Sequence, residues 1–244
     1  MASPISKIVF VTGANKGIGF EIARQLAVEG NHILIGARDR DRGQAAAAAL
    51  TSKGLAVRYV QIDLTNLATI TAAATNIAAQ EGRLDILINN AGITSAGDGS
   101  PGGAKLEAVR RTFETNFFGT LAVTQAMLPL LKRSASARIV NLSSGLGSLT
   151  EIGDANSEFW PFRFIGYGAS KAALNMLTVQ LAAELKESGI KVNSADPGYT
   201  ATDLNGRRGR QTVQAGAAAA IQLALLADDG PTGGFFAASH PQPW

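Results

Sequence analysis

Three observations predict that this chain of 244 residues is an α/β protein with a doubly wound, seven-stranded parallel sheet. Short apolar segments recur between longer stretches with helical spacing, the alternation runs the length of the chain, and the first apolar segment opens directly into a glycine-rich turn. The first strand is the apolar run Lys7-Ile8-Val9-Phe10-Val11, and Thr12-Gly13-Ala14-Asn15-Lys16-Gly17-Ile18-Gly19 follows at once. Apolar residues at helical spacing from Phe20 to Ala27 give a first helix over 18–29. Further strands are read at 33–36, 57–62, 84–88, 137–141, 191–194 and 234–236, with helices at 42–53, 67–81, 104–133, 166–188 and 211–227. Apolar strands alternating with helices imply a parallel sheet covered on both faces. Right-handed crossovers turn that alternation into the Rossmann arrangement. The alanine runs 45–49 and 217–220 read as helix filler, because alanine is the best helix former. No boundary divides the chain, so 1–244 is expected to be one domain large enough for a sizeable core.

Composition excludes several functions. The net charge is +3 and the basic residues are scattered, which argues against a nucleic-acid partner. Arg207, Arg208 and Arg210 form the one tight basic cluster, read either as a solvated loop or as ligand-facing. With no cysteine there can be no disulfide and no thiolate ligand or nucleophile, and no metal site is expected. His32 and His240 lie far apart and are read as surface residues. No apolar run reaches the eighteen or so residues of a membrane span. Met1-Ala2-Ser3-Pro4 leads into the first strand without a signal peptide, so the expected location is cytoplasmic.

Two segments carry the chemistry. The glycines at 13, 17 and 19 sit at a strand-to-helix turn, where the backbone can approach a pyrophosphate and the helix N-terminus favours an anion. Their spacing is G-x-x-x-G-x-G and not the commoner G-x-G-x-x-G. Far downstream, Tyr167-Gly168-Ala169-Ser170-Lys171 places a phenol and an ammonium four residues apart on one helical face. A positive neighbour favours the phenolate, so Tyr167 is expected to be acidified and able to give and take a proton.

With these segments in place the chain resembles the short-chain dehydrogenase/reductase family, whose members carry TGxxxGxG at the first turn and YxxxK downstream. Asn89-Asn90-Ala91-Gly92 matches the family's NNAG, Asn116 its helix asparagine, Asn141-Leu142-Ser143-Ser144 the segment with the catalytic serine, and Pro197-Gly198 the turn after the sixth strand. The resemblance implies catalysis by Asn116, Ser144, Tyr167 and Lys171, with Ser143 as the alternative hydroxyl. Carbonyl reduction leaves an alkoxide that must be stabilised and protonated. Tyr167 would protonate it, Ser144 would donate to the carbonyl oxygen, Lys171 would hold the nicotinamide ribose, and Asn116 would shape a helix distortion that positions a water. The cofactor residues implied are Gly13, Asn15, Lys16, Gly17, Ile18, Gly19, Arg38, Asp63, Leu64, Asn90, Ala91, Gly92, Tyr167, Lys171, Pro197, Gly198, Thr200 and Thr202. For Asp63 the bland alternative is a helix cap.

Charge selects the cofactor. Ala37 stands where the family's NAD-type acid would sit, whereas Arg38 and Lys16 offer cations to a 2′-phosphate, so NADPH is expected. Tyr167 follows Ser144 by 23 positions, longer than is usual in the tetrameric members, so residues near 150–165 are an insertion. Its four aromatics, Phe159, Trp160, Phe162 and Phe164, suit a pocket wall or, more commonly, a buried anchor. The insertion, the TGxNKGIG turn and the chain end at 237–244, which lacks a VDGG-like ending, resemble the monomeric NADPH-dependent carbonyl reductases of the family. The expected activity is reduction of small-to-medium ketones or aldehydes by a monomer. The alternatives are an NAD(P)-linked alcohol dehydrogenase working mainly in oxidation and a non-catalytic NADP(H) sensor.

Overall fold

A computed structural model describes residues 6–238 and 240–244, so Met1-Ala2-Ser3-Pro4 lies outside the described residues. The strands are β1 (Ile8–Thr12), β2 (His32–Ala37), β3 (Val57–Gln61), β4 (Ile86–Asn89), β5 (Arg138–Leu142), β6 (Lys191–Ala195) and β7 (Phe235–Phe236). They form one parallel sheet in the order β3-β2-β1-β4-β5-β6-β7. The helices are α1 (Gly17–Val28), α2 (Arg40–Thr51), α3 (Leu67–Glu81), α4 (Leu106–Phe113), α5 (Thr120–Leu131), α6 (Leu149–Gly153), α7 (Ile165–Glu184) and α8 (Val213–Ala224).

Because successive side chains on a strand point to opposite faces, each apolar strand feeds two cores. Val9, Val11, Ile33 and Ile35 pack with Ile22 and Leu26 of α1, Leu50 of α2 and Ala217 and Ala220 of α8. Ile8, Phe10 and Leu34 pack on the other face with Ile70 and Ile77 of α3, Met127 of α5 and Leu181 of α7. The order reverses between β1 and β4, and there the carboxyl ends of the strands open a crevice.

The structure departs from the sequence reading at three places. The single helix expected over 104–133 is interrupted by a wider π-helical turn at Glu114–Gly119. The helix expected over 166–188 ends at Glu184 and tightens into a 3₁₀ turn at Lys186–Ser188. The unexpected helix α6 is started by Ser148, whose hydroxyl accepts the amide of Glu151 at 3.1 Å. The chain end returns along β7: Phe236 bridges Pro241, Trp244 stacks on Phe235 at 5.6 Å, and Thr150 of α6 donates to the Trp244 carbonyl.

Candidate active site

The glycine turn is shaped by close approaches that a side chain would prevent. Gly13 has φ +65°, and a Cβ there would lie 2.9 Å from the Ala91 backbone. A Cβ on Gly19 would fall 2.3 Å from the Asn90 amide nitrogen, which itself donates to the Thr12 carbonyl at 2.8 Å. Asn90 therefore locks the loop after β4 onto the glycine turn. Gly17 has φ +61°, and Lys16, at the cap of α1, makes no side-chain bond to the helix amides. Uncapped amides at a helix start are suited to an anion.

The other end of the crevice is built on α7. Lys171 is buried and donates to the Leu142 carbonyl at 2.6 Å, with its nitrogen 5.7 Å from the Tyr167 ring centre. Deeper in the molecule a buried polar row ties α7 to the sheet: Asn89 donates to Asn141 at 2.8 Å, Asn141 to Thr178 at 2.8 Å, and Thr178 meets Ser194 at 2.8 Å. Ser143 and Ser144 separate clearly. Ser143 is buried against the Lys171 carbonyl, whereas Ser144 is partly open and its hydroxyl accepts the Leu146 amide at 3.2 Å.

Asn116 lies in the π-helical turn, where its side chain clasps one residue: its oxygen accepts the Ile93 amide at 2.8 Å and its nitrogen donates to the Ile93 carbonyl at 3.0 Å. The same nitrogen donates to Ser170 of α7 at 3.0 Å. Gly119 lets this turn settle on the Leu64 carbonyl, 2.5 Å from where a Cβ would be. The helix distortion expected from the family resemblance thus has a local cause in Asn116 and Gly119.

Electrostatics correct one expectation. Tyr167 is not acidified: burial pushes its pKa up to about 12, the Asp196 charge adds to the rise, and the bond with Ser144 opposes it. Part of the ring reaches the cleft surface, but the dense walls around it dominate. Burial brings Lys171 down to about 8, against an opposing pull from Asp196. Asp196 is itself buried, accepts the Gly198 amide at 2.9 Å, and has its pKa raised by burial.

A cleft of about 480 Å³ joins these parts. Gly13, Asn15, Lys16, Gly17, Ile18, Gly19, Arg38, Asp63, Leu64, Asn90, Ala91, Gly92, Tyr167, Lys171, Pro197 and Thr202 all line it. Asn116, Ser144, Gly198 and Thr200 do not, whereas Ser143 does. Thr200 is buried, and a Cβ on Gly216 of α8 would fall 2.3 Å from its hydroxyl; Gly198 has φ +63° and Gln211 beside it. Both shape the turn behind the cleft.

Asp63 is not the cap of α3. It accepts the Thr65 amide and hydroxyl at 3.0 and 2.8 Å, while Asn66 caps the helix. Asp39 turns away to cap α2 through the Arg42 amide at 3.0 Å, which leaves Arg38 as the charged residue that the end of β2 contributes to the cleft. Sequence reasoning missed Ile62, Thr65, Thr115 and Leu142 of the cleft lining. Asp203 pairs with Lys16 at 2.7 Å, and Arg207 approaches Asp203 at 3.4 Å, so one member of the basic cluster turns toward the cleft beside the glycine turn.

The insertion is mostly not a buried anchor. Trp160, Phe162 and Phe164 are exposed, and the Arg163 guanidinium stacks over Trp160 at 4.3 Å. Phe159 does anchor, lying over Gly145 where a Cβ would meet its ring at 2.2 Å; Phe162 meets Tyr199 at 6.4 Å between ring centres. His32 stands half exposed, 3.6 Å from Glu81. Among the described residues no cluster of metal-ligating groups exists, and no helix is long and apolar enough to cross a membrane.

The sequence model of the short chain dehydrogenase family matches residues 7–212. Carbonyl reductase [NADPH] 1 of Mus musculus is 34% identical, with 97% of this chain and 98% of that protein covered. (+)-Neomenthol dehydrogenase of Arabidopsis thaliana is 33% identical, with 97% of each covered. The crystal structure of NADPH-bound carbonyl reductase from chicken fatty liver superimposes with a TM-score of 0.86 at 30% identity, covering 98% of this chain and 99% of that one. Fold, cleft and matches agree that this chain belongs to the short-chain dehydrogenase/reductase family of oxidoreductases.

Proposed function

We propose that this protein is an NADPH-dependent carbonyl reductase acting on ketones or aldehydes. One observation carries the reading: a single cleft joins two cations near the glycine turn, Lys16 and Arg38, to the partly buried Tyr167 and the buried Lys171 at its other end. The uncapped α1 amides would take the pyrophosphate, and Lys16 and Arg38 the 2′-phosphate. Ala37 offers no carboxylate to repel it. The Lys16–Asp203 pair is exposed, so it is weak enough for a phosphate to displace it. When bound, the cofactor supplies the hydride.

The chain's own residues then manage the oxygen and its proton. Ser144 would donate to the carbonyl oxygen, with Ser143 as the alternative hydroxyl in the cleft lining. Tyr167, with a pKa near about 12, stays protonated at neutral pH and serves as general acid. Oxidation would need the phenolate, so this shift favours reduction over the dehydrogenase alternative. Lys171 would hold the ribose from the floor of the cleft. The test mixes purified protein with NADPH and cyclohexanone, acetophenone or benzaldehyde and follows the loss of nicotinamide absorbance. Turnover with NADPH well above that with NADH supports the proposal. Saturable cofactor binding with no turnover on any carbonyl would favour a sensor instead.

A further inference from the structure

We infer that Asp98 is a positioning residue for the reaction, a carboxylate that clamps the first turn of α7 and so fixes where Tyr167 stands in the cleft. The inference rests on the reading of Tyr167 as proton donor. Asp98 comes from the loop after β4, 69 positions before Tyr167. One of its oxygens accepts the Gly166 amide at 2.8 Å and the other accepts the amide of Tyr167 itself at 2.8 Å. The neighbouring Gly99 carbonyl takes the Ile165 amide at 2.9 Å. A helix start leaves its first amides without partners in the helix, and here Asp98 and Gly99 satisfy three of them. Phe164, at the cap position, contributes no side-chain bond. A carboxylate also suits the positive end of the helix dipole, and its bonds to amides are charge-assisted.

The fit is close enough to have shaped the sequence around it. A Cβ on Gly166 would stand 3.1 Å from each Asp98 oxygen and 3.1 Å from the Val109 backbone, so glycine keeps the slot open for the carboxylate. The loop that carries Asp98 is itself fastened. The Asp98 amide donates to the Ser95 carbonyl at 3.0 Å, the Ser95 hydroxyl meets Thr112 of α4 at 3.1 Å, and Lys105 donates to Gly97 at 2.8 Å. The loop starts at Ile93, which Asn116 clasps. Hydrogen bonds and the covalent chain of this loop together therefore link the π-helical turn to the backbone of the reacting tyrosine. Lys171 is held separately by Leu142, and the middle of α7 by Thr178 and Asn141. Loss of Asp98 should consequently loosen the turn that carries Tyr167 while leaving Lys171 and the cofactor cleft in place.

That separation makes the inference testable with the intact protein. Asp98→Ala, Asp98→Asn, Gly166→Ala and Tyr167→Phe are titrated with NADPH by fluorescence, and turnover of cyclohexanone is expressed per cofactor-binding site. Displacing a reacting group by about 1 Å can cost on the order of 100-fold, so Asp98→Ala is expected to lose at least about 10-fold in kcat with NADPH affinity within about twofold of wild type. Asp98→Asn keeps one acceptor oxygen and should fall between the two. Gly166→Ala should behave like Asp98→Ala, although alanine is the better helix former. The solvent deuterium isotope effect on kcat should rise in all three, because proton transfer from a misplaced phenol becomes limiting; a purely structural loss of folded protein would not raise it. Near-wild-type kcat per site in Asp98→Asn and Gly166→Ala, or an NADPH affinity that falls in step with kcat, would overturn the inference. Should Tyr167→Phe keep more than about a tenth of wild-type turnover, the acid assignment fails first and the inference with it.

Discussion

Tyr167 and Lys171 share one helix face and one buried environment, and burial acts on them in opposite senses. It keeps the phenol neutral, with a pKa up to about 12, and weakens the ammonium, down to about 8. Tyr167→Phe should lower kcat by about 10²–10⁴-fold, the usual worth of general acid catalysis, with NADPH affinity nearly unchanged because the ring still packs. Fluorescence titration beside steady-state rates measures both halves. The pH dependence follows from the signs of the two shifts. Below about 8 Lys171 carries its charge and Tyr167 its proton; above about 8 the lysine loses its charge while the phenol stays protonated. The kcat/KM for ketone reduction is therefore expected to be level through neutral pH and to fall as pH rises through about 8. A profile level to about pH 10 would assign no essential charge to Lys171. Arg38→Asp should move preference from NADPH toward NADH, since it replaces a phosphate partner with an anion. An unchanged ratio of kcat/KM values for the two cofactors would show that Lys16 or another group dominates.

At the scale of elements, three loops meet over one helix. The π-helical turn holds Ile93, the loop after β4 holds the start of α7, and the insertion lays Phe159 on Gly145 beside Ser144. Phe162 reaches from the insertion to Tyr199 in the segment after β6. These aromatics lie outside the cleft that holds Lys16 and Arg38 and are proposed to stand on the substrate side. Replacing Phe159 and Phe162 together with alanine should change the relative rates for bulky and small ketones more than it changes NADPH affinity. Equal effects on acetophenone and on a small ketone such as butanone would remove these rings from the pocket wall.

For the whole molecule, the outer face at the start of α7 is proposed to decide assembly. Gly168, Ala169 and Ala172 face a small apolar hollow of about 190 Å³ that is walled by Leu149 and Ile152 of α6 and by Phe162 and Phe164 of the insertion. A face covered in this way cannot serve as an isologous contact between long helices. The protein is therefore proposed to be a monomer, and light scattering should give a mass near 25.3 kDa. A mass of four subunits would refute this.

The sequence by itself determined the order and type of nearly every element, because apolar periodicity and glycine turns are local consequences of backbone geometry. It also determined which chemistry-bearing residues meet, since a doubly wound sheet brings the ends of its strands to one edge whatever the loops do. Ser144 and Tyr167 could be named from their motifs. What the tertiary structure alone decided was environment. The neutral state of Tyr167 comes from walls contributed by distant segments, which a reading of the Lys171 spacing could not weigh. Asp98 carries no motif, and its role exists only because a loop after β4 ends at the first turn of α7. Gly198 and Thr200 stand outside the cleft lining, with Gln211 and Gly216, from residues beyond the turn, against them. Helical periodicity did not register the π-helical turn, which only the family resemblance anticipated, since the extra residue is held by bonds from the Asn116 side chain to the Ile93 backbone of another loop.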